Sequence, residues 1–445
     1  MRITVIGTGY VGLVSGACLA DVGHDVVCVD VDPKKVEVIQ SGRPGIHEPG
    51  LASLLEKHSG RRLHGTTDLA GAVARSDVTI IAVGTPFNGE QIDLTAVQAV
   101  ARQVGQALSS HPGYCVIAVK STVVPGTTDN VVIPLLEQAS GKRAGQHFGV
   151  AMNPEFLAQG RAVDDFLRPD RIVLGGIDER SVEVMAQVYE PFADAPVLRT
   201  TPRTAEMIKY ASNTLLATLI SLSNEIANLS SALGGIDAAQ VMEGVHLSRY
   251  LAAQTPEGKP VTAPLASFFY PGCGFGGSCL PKDTKALAAL GASKHSPMRI
   301  LEAVIAVNEE QPARMLGILR RHFPHINGLR VGVLGLSYRP DTNDMRDSPA
   351  IPIVRALIDA GAAVQAYDPA ALSTARSVFA ADPVRLCETL ETAVDGTDAL
   401  LLVTRWPEFD RLAMVLDGMT DPPVVIDGRR MLDPSSFANY DGIGL

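Results

Sequence analysis

The chain has 445 residues, of which 46% are hydrophobic, enough for ordinary buried cores and about three domains. A net charge of −10 argues against a broad nucleic-acid-binding surface, and a mean hydropathy of +0.16 without a long apolar run argues against a membrane protein. The start, MRITVIGTGYVG, leads straight into a strand pattern, so we expect no signal peptide and a cytoplasmic protein. Six cysteines without a C-x-x-C pair give little support for zinc, and we expect no metal site.

The first part of the chain alternates short apolar strands with helix-like segments. ITVIG and DVVCVD predict buried parallel strands, and the intervening YVGLVSGACLADVG predicts a helix that ends at Gly23. DVTIIAVGTP, YCVIAVKST and FGVAMNPEF predict three further strands. The pattern indicates a doubly wound α/β domain over residues 1–200.

The sequence GTGYVG places Gly7, Gly9 and Gly12 between the first strand and the first helix. In this pattern the first glycine allows a tight turn, the second lets a pyrophosphate approach the backbone, and the third lets helix and strand pack closely. Asp30 ends the second predicted strand, where a carboxylate binds ribose hydroxyls and repels a 2′-phosphate. The combination predicts NAD as cofactor; the alternative is a glycine turn that binds nothing.

The segment TAEMIKYASNTLLATLISLSNEIANLSSAL contains neither proline nor glycine and predicts one long, mostly buried helix. We expect this helix to join the domains and to form a dimer contact. Lys209 and Asn213 lie one turn apart on it and share a face. They are either a snorkelling lysine with a surface amide, or an ammonium and an amide presented to a substrate hydroxyl or oxyanion.

The sequence GCGFGGSCLPKD ends a glycine-rich turn in Cys279, with Lys282 and Asp283 close behind. The thiol has three interpretations: a structural cysteine, a disulfide with Cys273, or a nucleophile that the neighbouring lysine activates. The glycines would leave room for a substrate to approach. With NAD, a nucleophilic thiol fits oxidation up to an acid, because a thiolate added to an aldehyde permits a second hydride to leave.

A second α/β pattern begins near Leu329. LRVGVLGLSY predicts a strand and turn, PAIPIVRALIDAGAAVQAYDP a helix and strand, and TDALLLVT and PPVVIDGR two further strands. The glycine pattern after the first of these strands is incomplete, so we expect no second dinucleotide, although another nucleotide-shaped ligand fits such strand ends. The predicted fold is therefore two doubly wound Rossmann-like domains joined by a long central helix and a helical middle domain.

Eight motifs together make the chain resemble the UDP-glucose/GDP-mannose dehydrogenase family nearly end to end. They are GTGYVG, EPGL, VGTP, KSTVVPGTT, NPEFLAQGRAVDDFLRPDRIVLG, KYASN, GFGGSCLPKD and DMRDSPA. The resemblance implies an NAD-binding domain (1–200), a central helical dimerisation and active-site domain (201–311) and a C-terminal sugar-nucleotide-binding domain (312–445). It also implies a homodimer through the long helix and a four-electron oxidation that uses two NAD.

The resemblance assigns six residues to catalysis. They are Cys279, Lys209, Asn213, Asp283, Glu155 and Thr122. Cys279 would be the nucleophile, and Lys209 and Asn213 would stabilise oxyanion-like states, with Lys209 also serving in proton transfer. Asp283 would position or activate water, Glu155 would assist proton transfer and thioester hydrolysis, and the threonine would join the water and hydroxyl network.

The resemblance also assigns binding residues for the cofactor and the sugar nucleotide. The cofactor set is Gly7, Gly9, Tyr10, Val11, Gly12, Asp30, Lys35, Thr85, Thr122 and Arg346. The substrate set is Glu155, Phe156, Leu157, Lys209, Asn213, Arg249, Phe268, Phe269, Tyr270, Pro271, Gly272, Gly276, Lys282, Arg339 and Arg429. An arginine suits a diphosphate because its guanidinium makes forked hydrogen bonds.

One segment departs from the family pattern. Members usually have a short link from an arginine to the glycine loop, and that arginine can reach the substrate of the partner subunit. Here Arg249 is followed by YLAAQTPEGKPVTAPLAS, a longer link that looks like an inserted loop. The insertion puts the role of Arg249 in doubt and loosens the substrate assignment.

The predicted activity is oxidation of UDP-glucose at C6 to UDP-glucuronate, because NPEFL followed by DDFLRPDRIVLG resembles the UDP-glucose branch of the family. Three alternatives stay open. The substrate could be UDP-N-acetylmannosamine or GDP-mannose; the enzyme could be a two-electron hydroxy-acid dehydrogenase, in which the thiol is dispensable; or the chain could sense or scaffold nucleotide sugars without turnover.

Overall fold

The computed structural model describes residues 1–192, 194–254 and 260–445, in two compact units, Met1–Ser212 and Asn213–Leu445. The middle of the predicted inserted loop, residues 255–259, lies outside the described residues. Within the described ranges, no helix combines the length and the apolar character that crossing a membrane requires.

The first unit consists of a single parallel-type sheet with helices on both faces. Its strands are β1 (Arg2–Ile6), β2 (Asp25–Val29), β3 (Leu63–Thr66), β4 (Val78–Ile81), β5 (Val116–Val119), β6 (Gly149–Met152), β7 (Ile172–Gly176) and β8 (Val197–Thr200). Its helices are α1 (Tyr10–Asp21), α2 (Pro33–Ser41), α3 (Leu51–His58), α4 (Leu69–Val73), α5 (Thr95–Ser109), α6 (Ile133–Ser140), α7 (Ala162–Leu167) and α8 (Glu179–Val188).

The strand order in this sheet is β3-β2-β1-β4-β5-β6-β7-β8, and only the β6–β7 pair is antiparallel. Strand β1 pairs with β2 on one side and β4 on the other, so Ile3 lies between Val26 and Val78. The order reverses at this point, where doubly wound sheets bind ligands beyond the carboxyl ends of their strands. The predicted strands are confirmed, whereas β3, β7 and β8 were not predicted.

The predicted long helix is confirmed as α9 (Pro202–Leu233), which has 32 residues. Ser212, the last residue of the first unit, lies within it. The helix is not buried all round, because Leu215, Leu222 and Leu229 are 50%, 41% and 60% exposed. Their seven-residue spacing places them along one stripe of the helix.

The second unit contains the second sheet and the helices around it. Its strands are β9 (Ala252–Gln254), β10 (Pro260–Thr262), β11 (Arg330–Leu334), β12 (Ala363–Tyr367), β13 (Val384–Leu386), β14 (Ala399–Leu402), β15 (Val424–Asp427) and β16 (Tyr440–Gly442). Its helices after α9 are α10 (Ala238–His246), α11 (Leu280–Ser293), α12 (Arg299–His322), α13 (Ala350–Asp359), α14 (Leu372–Val378), α15 (Leu390–Val394) and α16 (Leu412–Leu416).

Six of these strands form a parallel sheet in the order β13-β12-β11-β14-β15-β16, which repeats the order of the first six strands of the chain. Strands β9 and β10, which lie within the predicted inserted loop, pair with each other in antiparallel orientation, separate from the two large sheets. Buried leucine, isoleucine, valine and alanine side chains pack on the faces of both large sheets. The predicted fold class, two doubly wound domains with a long central helix, is confirmed.

Candidate active site

The turn between β1 and α1 has the shape that a pyrophosphate requires. Gly7 has φ +93°, and its N–H donates to Val29 O at 2.8 Å. A Cβ on Gly12 would lie 1.8 Å from Gly7 O, so only glycine fits there. Around Gly9, by contrast, a Cβ would meet no described atom within 4 Å, and α1 begins at the next residue. The space beside Gly9, at the N-terminus of α1, is therefore open and suits an anion.

Asp30 lies at the carboxyl end of β2 and is 7% exposed. Its carboxylate accepts the N–H and hydroxyl of Thr8, both at 2.8 Å, and the N–H of Asp32 at 3.0 Å, and Lys35 lies 3.5 Å away. Burial alone would raise the pKa of Asp30, but these hydrogen bonds outweigh burial and lower it. The group is therefore an ionised acceptor at the position expected for the ribose hydroxyls of NAD.

The other predicted cofactor residues of the first unit lie around the same edge of the sheet. Tyr10 and Val11 open α1, and Thr85 and Thr122 follow β4 and β5. The Thr85 hydroxyl donates to Thr122 O at 2.7 Å, which joins the two loops. These residues fit a cofactor that extends along the carboxyl ends of the strands.

Lys209 and Glu155 form a buried ion pair in the first unit. The ammonium lies 3.0 Å from the carboxylate, and the two side chains are 4% and 5% exposed. Burial would raise the pKa of Glu155, but Lys209 and the Leu157 N–H, which donates at 2.6 Å, lower it overall. A lysine this buried is not a snorkelling surface residue, so that interpretation is wrong.

Two further cationic side chains of the first unit contact the loop that carries Glu155, and the sequence did not predict either. Arg171 stacks on the Phe156 ring at 3.8 Å from its centroid and donates to the Ser212 hydroxyl at 3.2 Å. Lys120, from the KST motif, is 4% exposed and donates to Asn153 at 3.1 Å, and its charge also lowers the pKa of Glu155. Both stabilise the loop that carries the carboxylate.

The second unit contains a cluster around Asp283, which is fully buried in the first turn of α11. One carboxylate oxygen accepts from the Asn213 amide at 2.6 Å, and the other pairs with the Lys282 ammonium at 2.5 Å. Cys279 is the N-cap residue of the same helix and is partly exposed, with its sulfur 3.7 Å from the Ser278 hydroxyl. Helix N-termini favour negative charge, which suits a thiolate.

The glycines before Cys279 are needed for packing within the second unit. A Cβ on Gly276 would lie 2.2 Å from Asp347 O, and one on Gly277 would lie 2.6 Å from the Tyr338 ring. Gly274 and Gly277 also have φ of +100° and +84°, which other residues rarely adopt. The chain itself thus occupies space that the sequence suggested was left for a substrate.

Hydrogen bonds fix this glycine loop, residues 272–278, from four directions. The Gly272 N–H donates to Asn224 on α9 and the Phe275 N–H to Asn308 on α12, both at 2.7 Å. The remaining bonds join Gly277 N–H to Arg346 O (2.8 Å), Cys273 N–H to Gly428 O (3.0 Å) and the Arg429 guanidinium to Gly274 O (3.1 Å). Neither asparagine was predicted, because nothing in the helical pattern distinguishes them from surface amides.

Cys273 is a structural thiol. It is fully buried, its sulfur lies 3.4 Å from Val403 O, and burial raises its pKa. None of the six cysteines, all of which lie in the described part of the chain, forms a disulfide, so the disulfide interpretation with Cys279 is wrong.

The remaining predicted substrate residues of the second unit differ in their exposure and in their contacts. Phe268 ends a short helical turn, Phe269 and Tyr270 follow it, and the His246 ring lies 2.9 Å from Phe269 O. Arg429 donates to Val403 O at 2.6 Å as well as to the glycine loop, so it supports that loop. The predicted set also includes Pro271, Gly272, Arg339, which is half-buried, and Arg249, which is exposed.

Arg346, the one predicted cofactor residue of the second unit, forms a forked ion pair with Asp344. The guanidinium donates to both carboxylate oxygens at 2.5–3.0 Å. The pair raises the pKa of Arg346, so the group is a fixed positive charge.

Three parts of the chain match domains of one protein family. The NAD binding domain of the UDP-glucose/GDP-mannose dehydrogenase family matches residues 1–193, its central domain residues 203–310, and its UDP binding domain residues 332–434. The first match identifies the dinucleotide turn as part of an NAD-binding domain, so the predicted cofactor is confirmed.

Individual relatives are similar over the full length. The UDP-glucose 6-dehydrogenase AglM of Haloferax volcanii is 41% identical, with 100% of each chain covered. A GDP-mannose 6-dehydrogenase of Pseudomonas putida is 37% identical, with 99% of this chain and 97% of the relative covered. The solved UDP-glucose dehydrogenase of Pyrobaculum islandicum superposes with a TM-score of 0.90 at 38% identity, covering 99% of this chain and 97% of that one.

Proposed function

Because the chain belongs to the UDP-glucose/GDP-mannose dehydrogenase family, whose members are NAD-dependent nucleotide-sugar dehydrogenases, we propose that it oxidises UDP-glucose at C6 to UDP-glucuronate. The observation that carries the oxidation to the acid level is Cys279 at the N-terminus of α11, beside the Asp283 cluster. The choice of UDP-glucose is supported by the relatives that carry this activity in their names.

The second oxidation, from aldehyde to acid, requires a nucleophile, and the thiol can supply it. An alcohol that loses a hydride and a proton becomes an aldehyde, whose remaining C–H hydrogen cannot leave as a hydride until a nucleophile adds to the carbonyl carbon. The Cys279 thiolate adds there to form a thiohemiacetal, whose oxidation gives a thioester, and water then releases the acid and the thiol. NAD, when bound, accepts the hydride of each oxidation.

In the first unit, the Lys209–Glu155 pair would handle protons and developing charge. The ammonium is held 3.0 Å from a carboxylate that its environment keeps ionised, so it can donate a hydrogen bond to an alkoxide or oxyanion. Glu155 can accept a proton while water attacks the thioester. Thr122 would contribute its hydroxyl to the same network.

In the second unit, Asp283 would position the water that hydrolyses the thioester. Its two oxygens already accept from Asn213 and Lys282, which fixes the orientation of the carboxylate. The Asn213 amide has a second N–H that can stabilise an oxyanion. Phe268, Phe269, Tyr270, Arg339 and the glycine loop would bind the nucleotide sugar.

The substrate is tested by incubating purified protein and NAD with UDP-glucose, UDP-N-acetylmannosamine or GDP-mannose while NADH and product mass are followed. We expect UDP-glucose to give two NADH per sugar and a product with the mass of UDP-glucuronate. One NADH per sugar would support a two-electron dehydrogenase, and turnover of a different sugar nucleotide alone would overturn the substrate assignment.

The thiol is tested by Cys279→Ala, with Cys387→Ala as the matched control. We expect the first variant to lose at least 1000-fold in kcat for acid formation, because no other group forms the covalent adduct. Cys387 is buried in the second sheet domain, and its replacement should leave kcat within about twofold. Full acid formation by Cys279→Ala would exclude the thioester route.

The assembly and the domain limits are part of the same proposal. The exposed stripe Leu215, Leu222 and Leu229 on α9 would be covered by the same helix of a second copy, which gives a homodimer. Light scattering of Leu222→Glu should then show monomers where the unchanged protein gives dimers. We place the domains at residues 1–200, 201–311 and 312–445, and cysteines that form no disulfide fit the cytoplasmic location that we propose.

A further inference from the structure

The motif EPGL contributes a buried carboxylate to the first unit. Glu48 is 6% exposed, and its two oxygens are engaged by different parts of the chain. One oxygen accepts from the Tyr10 hydroxyl and from the Gly160 N–H at 2.8 Å. The other accepts the Ala162 N–H at 2.7 Å. Glu48 thus links two segments that are far apart in sequence.

The first of these segments is the dinucleotide turn. Tyr10 is the first residue of α1 and follows Gly9, around which the turn is open. Its backbone belongs to the helix N-terminus that receives the pyrophosphate, while its hydroxyl donates to Glu48 and accepts from the Gly160 N–H at 3.2 Å. A single residue therefore belongs both to the cofactor turn and to the Glu48 contact.

The second segment is the Glu155 loop, residues 153–161, which runs from β6 to α7. The N-cap residue of α7, Arg161, makes no side-chain capping bond, and Glu48 supplies the missing acceptor at this helix end. Gly160 has φ +85°, so its N–H can point at Glu48 from the end of the loop. The carboxylate thereby fixes the far end of the loop whose near end carries the Glu155–Lys209 pair.

We propose that Glu48 is a positioning residue that couples NAD binding at the dinucleotide turn to the geometry of the Glu155 loop. The bound pyrophosphate fixes the Tyr10 backbone, Tyr10 holds Glu48, and Glu48 holds Gly160 and Ala162. The structural coupling stands independently of the substrate, whereas its effect on turnover rests on the proposed role of Glu155.

The coupling is tested by amide hydrogen exchange of the full-length protein with and without NAD. In the unchanged protein we expect NAD to slow exchange at least threefold in the turn, residues 7–12, in the Glu155 loop, residues 153–161, and at the Ala162 N–H. In Glu48→Gln the turn should stay protected while the loop protection disappears, because an amide NH₂ would face one of the backbone N–H groups. Glu56→Gln, an exposed glutamate on the neighbouring helix α3, is the matched control and should behave like the unchanged protein.

A second variant separates coupling from simple damage to the fold. Tyr10→Phe keeps the ring and removes only the hydroxyl, and it should reduce the NAD-dependent loop protection in the same direction. If Glu48→Gln does not fold, Tyr10→Phe decides the question. NAD-dependent protection of the loop that persists in the folded variants, or that is absent from the unchanged protein, would overturn the proposal.

Turnover gives a further, independent readout. With saturating NAD, Glu48→Gln should lower kcat at least tenfold while the KM for the nucleotide sugar changes less than threefold, and Glu48→Asp should recover part of kcat. A raised KM with unchanged kcat would contradict a role through the Glu155 loop. If no sugar nucleotide is turned over by the unchanged protein, the proposed function fails, while the exchange experiment still tests the coupling.

Discussion

The two sheet domains have the same strand order and several equivalent contacts. They differ in the side chains of the turn that follows their first strand. Gly7 and Gly335 have φ of +93° and +92°, and each donates its N–H to the last residue of the neighbouring strand at 2.8 Å. At the other end of the first strands, Arg2 pairs with Asp77 and Arg330 with Asp398, both at 2.6 Å. The similarity of the two sheet domains therefore extends from strand order to individual contacts.

The turns themselves have different side chains. GTGYVG in the first domain corresponds to GLSYRP in the second, so Ser337 replaces the open glycine at position 9. The Ser337 N–H and hydroxyl donate to Asp368 at 2.9 and 2.8 Å. The Tyr338 ring packs on Gly277 of the glycine loop, which precedes Cys279. The turn that receives a cofactor in one domain thus supports the candidate catalytic loop in the other.

The aspartates at the ends of the second strands complete the contrast. Asp30 accepts from Thr8, Asp32 and Lys35 and is 7% exposed. Asp368 is fully buried, and besides Ser337 its donors are Leu336, Ala370, Ala371 and Trp406. A carboxylate surrounded by so many protein donors has little capacity left for a ribose. The two domains have the same strand order, so the contrast in predicted cofactor binding follows from the turns. The first turn leaves space beside Gly9, whereas protein side chains occupy the second.

Of the three substitutions Asp368→Asn, Gly9→Ser and Ser337→Gly, the first should destabilise the second sheet domain most strongly. An amide NH₂ would face backbone N–H groups at one of the two oxygen positions, and we expect a loss of roughly 3 kcal/mol in the free energy of unfolding. Denaturant unfolding measures this loss, and calorimetry should show NAD affinity unchanged within about twofold. A loss below about 1 kcal/mol would mean that Asp368 is not the structural centre of its turn.

Gly9→Ser places in the first turn the residue that the second turn already has. A Cβ at this position meets no described atom within 4 Å, so the free energy of unfolding should change by less than about 0.5 kcal/mol. Its side chain fills the pyrophosphate approach, and NAD affinity should fall about 100-fold by titration calorimetry. Gly244→Ser, where a Cβ also meets nothing within 4 Å, is the control and should bind NAD normally.

Ser337→Gly is the reverse change and should have the smallest effect. Loss of the hydroxyl bond to buried Asp368 should cost about 1 kcal/mol of unfolding free energy. It should not create a cofactor site, because the other donors to Asp368 and the Tyr338 contact with Gly277 remain. Calorimetry should still show one NAD per chain, and a second bound NAD would contradict the contrast between the domains.

Much of this architecture could be predicted from periodicity and motif spacing. The apolar strands, the glycine turn and the long helix are local patterns, and Lys209 and Asn213 were identified from helical spacing together with family resemblance. Strands β7 and β8 were missed because their sequences, IVLGG and VLRT, lack the long β-branched runs of the central strands.

The long-range contacts could not be predicted in the same way. The burial of Lys209 against Glu155, the acceptor role of Glu48, and the anchoring of the glycine loop by Asn224 and Asn308 join residues far apart in sequence. Local patterns contain no record of such partners. The sequence suggested that the glycines of this loop leave room for a substrate. In the structure, Gly276 and Gly277 instead leave room for other parts of the chain, Asp347 and Tyr338.

The anchoring of the glycine loop has a consequence for how the protein is made. Cys279 leaves the ribosome well before Gly428 and Arg429, whose contacts with Cys273 and Gly274 help to shape its loop. At synthesis rates of roughly 5–20 residues per second, that interval is on the order of ten seconds. Throughout that interval the nascent chain lacks these two contacts, so the glycine loop before Cys279 reaches its final hydrogen bonding only after the last strands of the second sheet have been synthesised.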